Sequence, residues 1–185
     1  MPELYFDFLS PFSYLHFKIL QAKIGNEDLN NWIFKPVLMG SLFQHWGFKG
    51  PGEILPKKKY LTKVLHLKAS KLNVKLQQPE NFPFNSFPLL KIVAHLQQLQ
   101  SPFLINIIEE IFYLIYDQRM NPDLIEDYLN QQKGIVTELS SSKIIKKNLA
   151  EAIEKEIFGV PTIWYGNEIF WGTDDLNFFM EKFYR

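Results

Sequence analysis

The 185-residue chain contains no cysteine. That excludes disulfide staples, thiolate chemistry by the protein's own side chains and cysteine-based zinc sites, so any sulfur chemistry must arrive with a ligand. An excess of either charge is missing too: Lys plus Arg and Asp plus Glu both number 20, for a formal net charge of zero. No global field draws in nucleic acid or acidic lipid, and the expected ligand is a small molecule. No run approaches the roughly 18 apolar residues that span a bilayer, and the first residues lack the basic and apolar regions of a secretory signal. The expectation is a cytoplasmic protein with neither a nucleic-acid nor a membrane partner. His16, His45, His66 and His95 lie far apart without metal-ligand spacing, so no metal is expected and each reads as a surface or core histidine.

What the chain does have is apolar and aromatic mass, at 46% hydrophobic and 16% aromatic residues with 17 Phe. That suffices for a sizeable core in one compact domain, or in one fold carrying a large insertion. ELYFDF at 3–8 is short and aromatic-rich and predicts a buried first strand. The following SPFSYLHFKILQAKIG predicts a helix with Ser10 at the N-cap, Pro11 at the first helical position and Gly25 near the C-cap. WIFKPVL at 32–38 is the next strand, so the chain opens β-α-β, the order of a parallel pair with a right-handed crossover.

From Met39 to about Ile157 the pattern is helical, broken at 47–56 and 77–88 by Gly- and Pro-rich stretches. Helices are expected over 57–73, 86–100, 103–117, 122–132 and 141–157. FLINIIEEIFYLIY is apolar on nearly every face, which suits a buried spine or a subunit interface. Its adjacent Glu109 and Glu110 point about 100° apart on a helix and do not make an acid–base pair. The last helix is amphipathic, with Ile145, Leu149, Ile153 and Ile157 at four-residue spacing. Strand signals return in VPTIWYGNEIFW, two short runs around a Gly166-Asn167 hairpin turn, and a closing helix runs from Asp174 to Phe183.

The whole reads as α/β, a thioredoxin-like βαβ…ββα sheet of residues 1–45 and 158–185 with an all-helical insertion at 46–157. Two features agree with that order. Val160-Pro161-Thr162 stands directly before a strand, where the fold places a cis-proline whose preceding residue offers its backbone to an extended ligand. Ser10 stands where the first helix begins, and the unsatisfied amides and partial positive charge of a helix N-terminus stabilise a thiolate or other anion. Ser-Pro is also an ordinary way to start a helix, so Ser10 reads either as a plain cap or as the holder of a reactive group.

FDFLSPFSYL near the start, ILPKKKYL entering the first insertion helix and FGVPTIWYGNEIFWGTDDL near the end resemble the 2-hydroxychromene-2-carboxylate isomerases and the kappa-class glutathione transferases. The resemblance covers the termini closely and the middle mainly by layout. It implies a DsbA-like thioredoxin fold, a glutathione site and a homodimer. On the matching positions, Ser10 is the serine that hydrogen-bonds the glutathione sulfur and Lys58 the lysine that pairs with a glutathione carboxylate. Val160 precedes the cis-proline Pro161 and clamps the cysteinyl part, while Thr173 and Asp174 bind the γ-glutamyl end. Thr173 and Asp174 also suit the N-cap of the closing helix, and Lys57 to Lys59 suit a solvated helix start. Two positions depart from the family: Asp175 stands where arginine is common, and Phe48 where asparagine is found. Phe12, Trp46 and Trp171 are candidates for an apolar substrate pocket by their nearness to the motifs.

The implied activity is a glutathione-dependent isomerisation or transfer on a small aromatic or otherwise apolar electrophile. A DsbA-like disulfide oxidoreductase has the right fold but no protein thiol to exchange. A non-catalytic thioredoxin-like module that captures a peptide or small ligand is the alternative from another class.

Overall fold

The computed structural model describes residues 1–135 and 141–184; positions 136–140 of the expected insertion, and Arg185, lie outside the described residues. The elements run β1 (Glu3–Phe6), α1 (Pro11–Leu29), β2 (Ile33–Pro36), α2 (Met39–His45), α3 (Leu55–Lys71), α4 (Phe87–Gln98), α5 (Leu104–Tyr116), α6 (Ile125–Lys133), α7 (Ser141–Glu154), β3 (Thr162–Tyr165), β4 (Glu168–Trp171) and α8 (Asp175–Phe183). Short 3₁₀ turns occupy Pro51–Glu53 and Pro122–Leu124.

The four strands form one sheet in the order β2-β1-β3-β4. β1 and β2 are parallel, as a β-α-β crossover requires, and β1/β3 and β3/β4 are antiparallel. This is the thioredoxin-like arrangement that the element order predicts. The β3–β4 hairpin turns on Gly166 and Asn167, both left-handed at φ 60° and 62°, and Tyr165 pairs with Glu168 across it.

Period-two alternation sends the two faces of the sheet to different cores. Leu4, Phe6, Phe34, Ile163 and Phe170 join the main core with residues of α1, α4 and α5, so the helical segment and the sheet share one apolar cluster. Tyr5 joins a smaller cluster on the other face with Val37, Leu42, Ala152, Ile157 and Val160, beneath α2 and α7. Burial pushes the Tyr5 phenol well above the ordinary tyrosine value, reinforced by its hydrogen bond to Glu3. The four-residue spacing expected of α7 is used here, since Ile157 is buried and Leu149 and Ile153 pack against this cluster.

α5 is the spine of the main core. Ile105, Ile107, Ile108, Ile111, Phe112 and Ile115 are buried, and the Phe112 ring lies 4.8 Å from Phe8, 5.7 Å from Phe17 and 5.8 Å from Tyr14. Its two glutamates diverge as expected: Glu109 pairs with Lys18 of α1 and Glu110 with Lys133 of α6.

Three details differ from the sequence reading. Gly25 does not end α1 but kinks it at φ 75°, and the helix resumes to bury Leu29. α2 is a separate helix that begins after Leu38 without a side-chain cap, so no capping signal marks it. Asp174 precedes α8 without capping it through its side chain.

Candidate functional site

The end of β1 carries the chain into FLSPFS. Ser10 is the N-cap of α1 and accepts a hydrogen bond from the Ser13 amide at 3.2 Å through its Oγ. Its own amide donates to the Asp7 carbonyl at 3.0 Å, and Pro11 fills the first helical position, where a missing N–H costs nothing. Ser10 is 3% exposed. The cap reading of Ser10 is therefore correct as far as it goes, and its hydroxyl proton remains free to donate to a ligand.

Asp7, three residues earlier, is the buried carboxyl of this corner at 1% exposure. Its two oxygens accept from the Leu9 amide at 3.0 Å and the Met39 amide at 2.8 Å. Burial pushes its pKa up, and the Ser86 hydroxyl and those two amides pull against that. One carboxyl thus pins the β1–α1 loop to the start of α2 and to the residue that precedes α4.

Val160-Pro161 is a cis peptide. β1 and β3 pair antiparallel with Tyr5 opposite Thr162, so Pro161 and the run toward Ser10 leave the same end of the sheet. The Pro161 carbonyl accepts from the Gly172 amide at 2.9 Å, and the Gly172 carbonyl accepts from His16 Nδ1 at 2.8 Å. His16 is on α1, whose first turn Ser10 caps, so two hydrogen bonds through Gly172 tie α1 to the cis-proline. A carbonyl only accepts, hence Nδ1 carries a hydrogen. Burial pushes the His16 pKa down to about 4, with the Gly172 contact opposing. Ser10, Ser13 and His16 follow one another at three-residue spacing along α1, and Ser13 Oγ and His16 Nε2 are buried with no protein partner.

Thr173 and Asp174 follow directly. Lys68 of α3 donates to Thr173 Oγ1 at 2.7 Å and pairs with Asp174 Oδ1. The Asp174 side chain is 85% exposed and that of Lys68 24%, so the lysine lies beneath and the carboxylate at the rim. Asp175 turns back and accepts from the Trp171 amide at 3.0 Å. Its negative charge is thus spent on the strand end that leads into this turn.

The aromatic candidates divide. The Trp46 indole donates to the Ile157 carbonyl at 2.9 Å. The Trp171 ring lies 5.3 Å from Phe158, and a Cβ on Gly159 would stand 3.0 Å from its Nε1. Both tryptophans therefore flank residues 157–159, just before the cis-proline. Phe12 instead packs against the main core. Phe48 lies 4.6 Å from Phe43, an apolar contact over the α2 C-terminus.

Lys58 is exposed in the first turns of α3 and has no ion-pair partner among the described residues. The structure thus brings Ser10, Val160, Pro161, Thr173 and Asp174 to one end of the sheet and leaves Lys58 free on its helix. Of the cluster's residues, Lys68 escaped the sequence reading, and His16 reads there only as a surface or core histidine, the core being where it lies. The His16 and Lys68 contacts lie 156 and 105 positions away, and the i, i+3, i+6 polar stripe on an otherwise apolar stretch of α1 is the one signal that marks His16. No group of metal-ligating side chains occurs among the described residues. No helix among them is long and apolar enough to cross a membrane.

The family model for a DSBA-like thioredoxin domain matches residues 3–184. The 2-hydroxychromene-2-carboxylate isomerase of Sphingobium xenophagum is 26% identical over 95% of this chain and 94% of its own length. The enzyme of that name from Pseudomonas putida is 27% identical over 94% of this chain and 89% of its own. A solved 2-hydroxychromene-2-carboxylate isomerase superposes with a TM-score of 0.75 at 22% identity, over 98% of this chain and 93% of that one, a likeness of fold.

Proposed function

Because the chain belongs to the DSBA-like thioredoxin domain family, we propose that it is a glutathione-dependent isomerase of small, apolar or aromatic electrophiles, with Ser10 holding the glutathione sulfur as its thiolate. The observation that carries the reading is Ser10 itself: a buried hydroxyl with its proton unspent, at a helix N-terminus on the same end of the sheet as a cis-proline, in a chain with no thiol of its own. The names of the curated relatives favour isomerisation over conjugation to the same cofactor.

The residues present fit that cofactor. Ser10 Oγ accepts from Ser13, which leaves its proton for a ligand, and with the positive end of α1 it favours the charged form of a sulfur docked there. Val160 offers its backbone to the cysteinyl part, Thr173 and Asp174 take the γ-glutamyl end, and Lys58, free on α3, takes a carboxylate. Glutathione, when bound, supplies the nucleophilic sulfur that the chain lacks. Trp46 and Trp171 present an apolar wall to the electrophile, with Phe12 fixed behind the first helical turn. The exposed Ile54, Leu55, Tyr60 and Leu67 around α3 belong to the homodimer contact in this reading.

Calorimetric titration of reduced glutathione into wild type and Ser10→Ala, with thiolate absorbance followed on the same samples, tests the proposal. Wild type binds and shows a thiolate band; the variant binds without it and loses at least about 100-fold in turnover of 2-hydroxychromene-2-carboxylate, the effect of removing one preorganised donor from a developing charge. No binding by wild type at millimolar glutathione would sink the reading.

A further inference from the structure

We propose that Lys68 is a specificity-determining residue, reading the α-carboxylate of the ligand's amino-acid head while Asp174 reads the α-ammonium. The inference rests on the glutathione reading but assigns a residue that neither the motifs nor the resemblance marked. Lys68 Nζ has three N–H donors. One goes to Thr173 Oγ1 at 2.7 Å and one to Asp174, which leaves one over. The lysine is the more buried partner of the pair, so it pays more than Asp174 does when left without an anion.

That asymmetry dictates what the site accepts. A ligand carrying only an ammonium would draw Asp174 away and strand Lys68 in a partly buried position. A ligand carrying an ammonium and a carboxylate on one carbon replaces the single Lys68–Asp174 pair by two, with Thr173 Oγ1 still fixing Nζ from beneath. The γ-glutamyl head is such a group. The same geometry rejects its analogues that lack either charge, because each leaves one member of the pair unsatisfied.

Binding constants for three ligands on three proteins test this. The ligands are glutathione, 4-aminobutyryl-cysteinylglycine, which lacks the α-carboxylate, and glutaryl-cysteinylglycine, which lacks the α-amino group. The proteins are wild type, Lys68→Met and Lys68→Arg, each checked for native circular dichroism. Wild type should bind the aminobutyryl analogue about 10–100-fold more weakly than glutathione, the range for a charge-assisted hydrogen bond. In Lys68→Met that ratio should fall to within about 3-fold, while discrimination against the glutaryl analogue persists; Lys68→Arg should restore the first ratio. If wild type binds glutathione but Lys68→Met keeps the full ratio, or binds glutathione more tightly because Asp174 is freed, Lys68 does not read the carboxylate and the inference falls alone. If wild type binds none of the three, the glutathione reading and the inference fall together.

Discussion

His16 makes the fold acid-sensitive through a single buried ring. It is fully buried, donates from Nδ1 to the Gly172 carbonyl at 2.8 Å and leaves Nε2 without a protein partner. A proton added at Nε2 would have no acceptor in an apolar surrounding, which is why burial pushes its pKa from the ordinary 6.5 down to about 4. The sign follows directly. Between pH 6.5 and 4 the unfolded chain binds a proton at this position and the folded chain does not, so unfolding takes up a proton and stability falls as pH falls. The contribution is fully present above 6.5 and is lost progressively down to about 4. Each pH unit with a one-proton difference is worth about 1.4 kcal/mol, so going from pH 7 to pH 5 removes about 2 kcal/mol.

Urea unfolding at pH 7 and pH 5, on wild type and His16→Asn, isolates that amount. The asparagine amide donates to Gly172 as Nδ1 does but does not titrate. The other titrating groups are common to both proteins and cancel in the difference. With a urea m-value of about 2 kcal/mol/M, the wild-type midpoint should fall by about 1 M more than that of the variant. Equal midpoint shifts in the two proteins would refute the argument and would mean that His16 is solvated or paired.

Asp7→Ala should cost about 3 kcal/mol in denaturant unfolding at pH 7, since the Leu9 and Met39 amides lose their acceptor in a buried corner; a loss below about 1 kcal/mol would show that water replaces the carboxylate. The homodimer placed around α3 should sediment at twice the monomer mass, and Leu55→Glu with Leu67→Glu should shift it to monomer without loss of helicity; a monomeric wild type at tens of micromolar would remove the dimer from the reading.

Local signals made most of the scaffold legible. Ser10-Pro11 at the start of α1 and Gly166-Asn167 in the hairpin are short-range devices, and both sit as their chemistry dictates. The all-round apolar α5 could have been a spine or an interface, and the rings of Phe8, Tyr14 and Phe17 around Phe112 make it the spine. Gly25 misled because glycine both ends and kinks helices; what decides is whether the next turn has something to bury, and Leu29 does. α2 escaped because its own N-cap residue, Leu38, has no capping side chain: Met39 instead gives its amide to Asp7, in the distant β1–α1 loop. Asp174 was legible as a helix start, but its carboxylate went to Lys68 rather than to the backbone, and no local pattern announces a partner 106 positions away.

The site is graded from one end to the other, and the grading constrains how any ligand lies in it. At the Ser10 end the groups are buried, with Val160 at 7% exposure and Thr162 tied back to the Gly159 carbonyl at 2.6 Å. At the other end the charged groups stand at the surface, with Asp174 at the rim above Lys68. Desolvating an ion costs far more than desolvating a thiol or a ring, so a ligand with charged termini and a soft centre can lie in only one sense, with charges outward and sulfur inward. On the proposed reading the electrophile then has the aromatic side to itself, past Trp46 and Trp171 where they flank residues 157–159. Widening that approach by Trp171→Ala should therefore change which electrophiles are turned over while leaving the glutathione affinity within about 3-fold, because it removes a ring assigned to the electrophile and keeps the backbone and the Thr173 and Asp174 side chains assigned to the cofactor.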